Sequence, residues 1–234
     1  MNDPGSDPVA LLTNQIRRSP SSSSAHLFSG FRGSGKSTEL RRLQRKLDTL
    51  GYRVFYLDLD GYLDPYTAVG VGDYLLTLAG AFDDELRRLK LVKGQSVWSK
   101  AGGWLGKWEF TELGGSAGVN AGVATAGVDL KASLRDNPEF RQRLRQHLDR
   151  RLEVVVKAVH DEIGSQARKF STCEHSVVVL IDSTEKLADT DETNHAVRSS
   201  VRTLFAQHGR RLTLPGVHAV YSVRQALRSW SHRR

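Results

Sequence analysis

Cysteine is almost absent from this chain. Cys173 stands alone in 234 residues, so a disulfide framework is excluded, and a chain of this length can bury a core without disulfides or a structural metal. Uninterrupted apolar runs of the roughly 18 residues that a membrane span needs are also missing. The opening MNDPGSDPVALL is acidic and proline-bearing rather than basic followed by a long apolar stretch, unlike a secretory leader. These absences lead to the expectation of a cytoplasmic protein with no membrane span. Metal-ligand spacing is lacking as well. The eight histidines are scattered, one cysteine makes no zinc pattern, and Cys173 has no histidine-paired setting for nucleophilic catalysis.

What is plentiful is positive charge. Lys and Arg number 34 against 26 Asp and Glu, a formal charge of +8, with a sequence pI near 9.8 and a mean hydropathy of -0.40. That balance permits nucleic acid or another polyanion as partner without requiring one, because the arginines are spread over several segments.

Periodicity then divides the chain. Residues 9 to 18 read as a short helix after Asp7-Pro8, and residues 19 to 24 as a serine-rich linker, which makes residues 1 to 25 a leader to one domain over 26 to 234. His26 to Ser29 reads as a strand running into GFRGSGKST. Leu40, Leu43, Leu47 and Leu50, at spacings of 3 and 4, make the sequel a helix that Gly51 ends. YRVFYLDLD, residues 52 to 60, alternates as a strand does. Residues 65 to 93 read as one or two helices, with Leu75, Leu76, Leu78, Phe82, Leu86 and Leu89 as the buried stripe. From Gly94 to Leu134 the chain holds nine glycines together with Trp98, Trp104 and Trp108, poor helix composition that predicts an insertion over 94 to 136 of a loop with one or two weak strands. Its WSKAGGWLGKW segment admits a membrane-interface reading, but packing on its own strands or on a partner is the simpler expectation.

Asn137-Pro138-Glu139 opens a long helix, with Leu144, Leu148, Leu152, Val155, Val159 and Ile163 on one face to about Phe170. SVVVLID, residues 176 to 182, is an apolar run of the kind a doubly covered parallel strand needs. A helix over His195 to Gln207 and a strand over Val217 to Val223 complete the pattern. Strand, glycine loop, helix and strand in this order predict an α/β fold with a mostly parallel sheet.

Gly30 to Ser37 fits G-x-x-x-x-G-K-[ST] at every fixed position. Glycines at these positions let successive N–H groups converge on phosphate oxygens at the positive end of the following helix. In that reading Gly30, Gly33, Ser34 and Gly35 shape the cradle, Lys36 bridges the β- and γ-phosphates, Ser37 ligates Mg2+ and Thr38 adds a phosphate contact. Asp182, ending its strand, is the candidate second carboxylate for the metal, since ligands bind at the carboxyl ends of such strands. Glu185, three residues on, is a candidate to orient the attacking water, or a helix-opening acid.

With these pieces in place the chain resembles the additional-strand P-loop ATPases, in particular the AAA+ and STAND groups. The resemblance rests on GFRGSGKST, YRVFYLDLD, NPEFRQRLRQHL, VVVLIDSTEKL and LPGVHAVYSVRQAL, and covers residues 26 to 224. It implies a three-layer P-loop NTPase sandwich, ATP rather than GTP, and Mg2+ as cofactor. A guanine-reading N-K-x-D type motif is not present. Gly30, Gly33, Ser34, Gly35, Lys36, Ser37 and Thr38 then fall on Walker A, Asp182 on Walker B and Ser222 on sensor 1. Arg198, Arg202, Arg210 and Arg211 include arginine-finger candidates. Ser183 stands where many AAA+ proteins carry the catalytic glutamate. The chain ends soon after the fourth strand, so the resemblance leaves no place for a fifth strand, a lid or a sensor-2 arginine, and implies an open edge on the first strand, covered by a partner chain or left by a truncated reading frame. Three functions follow: an ATP-hydrolysing switch or assembly component, a nucleotide-binding scaffold or signalling module without turnover, and a DNA-associated ATPase using RQRLRQHLDRR.

Overall fold

The computed structural model describes residues 7–19, 21–31, 33–64, 66–106, 123–172, 174–184, 186 and 195–224, without the side chains of 102 to 129. Four parallel strands form one sheet, β1 (Ser24–Gly30), β2 (Val54–Asp58), β3 (Val177–Asp182) and β4 (Val217–Arg224), in the order β1-β4-β3-β2. Helices cover both sides, as the α/β expectation required. Alternation along the strands sorts the core. Val178 and Leu180 face one layer with Val54, Tyr56 and Val220, while Val177, Val179 and Ile181 face the other.

The first layer holds two helices, α1 (Pro8–Arg17) and α2 (Lys36–Thr49). Asp7 caps α1 by accepting a hydrogen bond from the Val9 amide at 3.0 Å, and Pro8 occupies a position whose amide has no helical partner anyway. Val9, Leu12 and Ile16 then pack with Leu40, Leu43 and Leu47 of α2 in one cluster. The serine run is tied in at its end: Ser24 belongs to β1, and the Ser23 hydroxyl accepts from the Gly216 amide at 2.8 Å.

The second layer is thicker. It contains α3 (Val71–Arg88), α4 (Val97–Gly106), α5 (Val123–Asp136), α6 (Pro138–Arg150), α7 (Leu152–Arg168) and α8 (His195–Gln207). Three expectations are corrected here. The described residues of the glycine-rich insertion form helices α4 and α5 instead of weak strands, and these pack against each other. Packing overrides the poor intrinsic propensity: Trp98 is buried with its ring pressed onto Gly80 of α3, where a Cβ would meet ring carbons at 2.0 Å, and its Nε1 donates to Asp84 at 3.2 Å. Trp104 and Trp108 lie outside the described side chains. The long helix from Asn137 is two helices, broken at Arg151 (φ -127°, ψ 29°), and its apolar face still continues through Leu144, Leu148, Val155, Val159 and Ile163. Leu89 was expected in the α3 stripe but is 39% exposed, because α3 ends at Arg88.

Arg141 is the largest fully buried side chain among the described residues. Read as part of a basic helix face, it instead donates to the carbonyls of Asp64, Leu134 and Arg135 and so joins three segments. No helix among the described residues is long and apolar enough to cross a membrane.

Candidate functional site

Strand alternation sets the site. At the carboxyl ends of the strands, Asp58 on β2 is in register with Asp182 on β3, and each lies two residues beyond a side chain of the α2 layer, Tyr56 and Leu180. Ser222, two residues beyond Val220 on β4, belongs to the same face by the same count. The turn from β1 into α2 closes over this end of the sheet.

That turn is the glycine-rich segment, of which Arg32 lies outside the described residues. Gly33 and Gly35 have φ of 73° and 79°, backbone that glycine enters freely and a side chain does not. Gly35 is the N-cap of α2 and supplies no capping side chain, so amides of the first turn are left facing outward at the positive end of the helix. Ser34, Ser37 and Thr38 are exposed around it. Lys36 is 6% exposed, and its Nζ donates to the carbonyls of Phe31 at 2.8 Å and Gly30 at 3.4 Å. The cation therefore lies folded over the loop, on groups that an incoming anion can replace.

Asp182 is 3% exposed. Burial pushes its pKa up, yet the carboxyl lies below its usual value, because Tyr56, Ser37, the Ser183 amide and Ser222 all hydrogen-bond to it; donors to the charged form outweigh its desolvation. The Ser183 amide reaches Oδ1 at 2.8 Å, and the Tyr56 hydroxyl donates to Oδ2. Burial first, and then the hydrogen bond to Asp182, holds the Tyr56 phenol above its ordinary value and so protonated as a donor. Ser183 itself has φ 64°, a left-handed conformation uncommon for a non-glycine residue, of the kind found at ligand sites.

Residues far apart in sequence, Lys36, Ser37, Asp182 and Ser222, thus meet at one end of the sheet. Glu185 lies outside the described residues. Arg211 is engaged elsewhere, paired with Glu153 at 2.5 Å, and Arg202 and Arg210 are exposed. Among the described residues no group of three or more His, Cys, Asp or Glu could hold a metal ion alone. The hydroxyl of Ser37 beside the Asp182 carboxylate is an oxygen pair that suits Mg2+, which takes one or two carboxylates and leaves its other positions to water and substrate phosphates. Tyr56 escaped the sequence reading. Its signal was present in the alternation of Val54, Tyr56 and Asp58, which places the phenol on the same face as the second-strand carboxylate.

A scan against protein-family models, a search of the curated proteins and a search of the solved structures each gave no match for this chain. What the chain does therefore has to be argued from the site.

Proposed function

We propose that the chain is a P-loop NTPase that binds ATP with Mg2+ at residues 30 to 38 and hydrolyses it, working as a nucleotide-dependent switch or assembly component. The observation that carries this reading is the loop itself: two left-handed glycines, an uncapped helix start and a lysine lying across the loop, with Ser37 hydrogen-bonded to Asp182. First-turn amides supply donors and a favourable dipole for phosphate, and Lys36 exchanges loop carbonyls for phosphate oxygens. Ser37 and Asp182 hold the metal. When bound, Mg2+ offsets charge on the β- and γ-phosphates. Ser222 stands beside Asp182, where a sensor of the γ-phosphate belongs, and Glu185 is assigned to orient the attacking water. Adenine over guanine rests on the resemblance to AAA+ and STAND proteins.

A second reading, nucleotide binding without turnover, is favoured by one feature. The position after Asp182 carries Ser183, buried and left-handed, and no acid. The DNA-associated reading draws less support, since burial takes Arg141 out of the basic face of α6. A partner chain or second copy beside β1 remains part of the proposal: β1 pairs only with β4 among the described residues, and Leu11 and Leu27 are exposed along a groove of about 610 Å³ there.

ATP turnover by the purified chain, beside Lys36→Ala and Glu185→Gln, tests the reading. Hydrolysis in the wild type, lost in Lys36→Ala through failed binding and in Glu185→Gln with binding kept, supports a hydrolase. Binding with no turnover in the wild type replaces it with the second reading.

A further inference from the structure

We propose that Tyr56 is a positioning residue for the metal-binding carboxylate, fixing the orientation of Asp182 from the neighbouring strand. The inference rests on the nucleotide reading above and adds a component to the site. Tyr56 is 8% exposed and its hydroxyl donates to Oδ2 of Asp182, while the Ser183 amide donates to Oδ1. One donor on each oxygen fixes the rotation of the carboxyl about its last bond. The carboxylate so oriented is also hydrogen-bonded by Ser37 and Ser222. A carboxylate oriented by outer partners keeps its geometry when its ligand leaves, which is how such partners raise metal affinity.

The ring of Tyr56 is itself held. The Arg41 guanidinium carbon lies 3.3 Å from the ring centroid, and Arg41 Nη1 donates to Gln44 at 3.1 Å. Arg41 sits on α2, five residues after Lys36, so the helix that begins at the phosphate loop also grips the phenol orienting the metal carboxylate. The cation over the ring face adds attraction. The chain thus links the two halves of the proposed site through a side chain outside both motifs.

The experiment is a titration of ATP binding against Mg2+, on the full chain, for wild type, Tyr56→Phe, Asp182→Asn and the double variant, with thermal melting of each. Tyr56→Phe keeps the ring beneath Arg41 and removes only the hydroxyl. Expected are about a tenfold rise in the Mg2+ concentration for half-saturation, unchanged ATP affinity without Mg2+, and a further shift below about twofold when the same change is made in Asp182→Asn. An unchanged Mg2+ response in Tyr56→Phe, or the same tenfold shift persisting without the Asp182 carboxylate, overturns the positioning role. Failure of the wild type to bind ATP at any Mg2+ concentration overturns the nucleotide reading itself, and the two failures are told apart by the wild-type curve.

Discussion

Asp182 and Asp73 are both shut away from water, in opposite layers of one sheet, and their acidities are displaced in opposite directions. Asp182 has donors from Tyr56, Ser37, Ser222 and the Ser183 amide, and lies below the usual carboxylate value in spite of burial. Asp73, at the start of α3, is fully buried, and burial pushes it up to about 6, even though Arg145 and Arg141 act in the other direction. Arg145 Nη2 reaches Asp73 Oδ2 at only 3.5 Å, and among the described residues Asp73 Oδ1 and Arg145 Nε have no hydrogen-bond partner. Short, aligned donors keep a buried carboxylate ionised; a marginal ion pair does not compensate desolvation. The α2 layer spends its buried polar groups on the end of the sheet where a ligand is proposed, whereas the helical layer opposite uses them to join segments.

The largest effect that breaks this contrast is expected at Arg141. Replacing this fully buried side chain by Met strips donors from three carbonyls, that of Leu134 buried and those of Asp64 and Arg135 partly so, and should lower stability by about 3 kcal/mol, read as a fall in the urea midpoint. Asp182→Asn comes next. An amide cannot accept from all four donors, and a loss of about 2 kcal/mol at pH 7.5 is expected in the same assay.

Asp73→Asn should go the other way, gaining about 1 kcal/mol at pH 7.5. The sign follows from linkage. With the folded value near 6 and the ordinary value at 3.8, the unfolded chain loses its proton first as pH rises, so wild-type stability falls between those limits and stays lower above them. The advantage of the variant should therefore be absent near pH 4, grow to pH 6 and then level off.

The effect that is smallest near neutral pH concerns His218. Burial, and then His26, pushes it down to about 4 from 6.5, and Ser24 Oγ lies 2.8 Å from both imidazoles. As pH falls below 6.5 the unfolded chain takes up a proton that the folded chain refuses until about pH 4, so stability drops across that window. His218→Asn should flatten that part of the melting profile, and a profile as steep as wild type would assign the slope elsewhere.

Much of the sheet was readable from sequence because its signals are local. The apolar run before Asp182, the leucines of α2 and the breaker before Val217 each mark an element by periodicity or composition. The glycine-rich turn into α2 was readable because glycines, lysine and serine at fixed spacing carry their own geometry. Helices α4 and α5 were not, since Gly80 under Trp98 is a contact between distant segments that no window contains. The break at Arg151 hides within an unbroken apolar stripe. Arg141 looked like solvent-facing charge because its carbonyl partners lie on two other segments, and Tyr56 needed the register of β2 on β3 before its hydroxyl could be placed at Asp182.

The central claim is that residues 30 to 38 bind a nucleoside triphosphate. Calorimetric titration of ATP with Mg2+ into the purified chain, beside Lys36→Ala, tests it most directly. The account predicts saturable binding at one site in the wild type and affinity at least about 30-fold weaker in Lys36→Ala. Absence of binding in the wild type, or equal affinity in the two proteins, would contradict it.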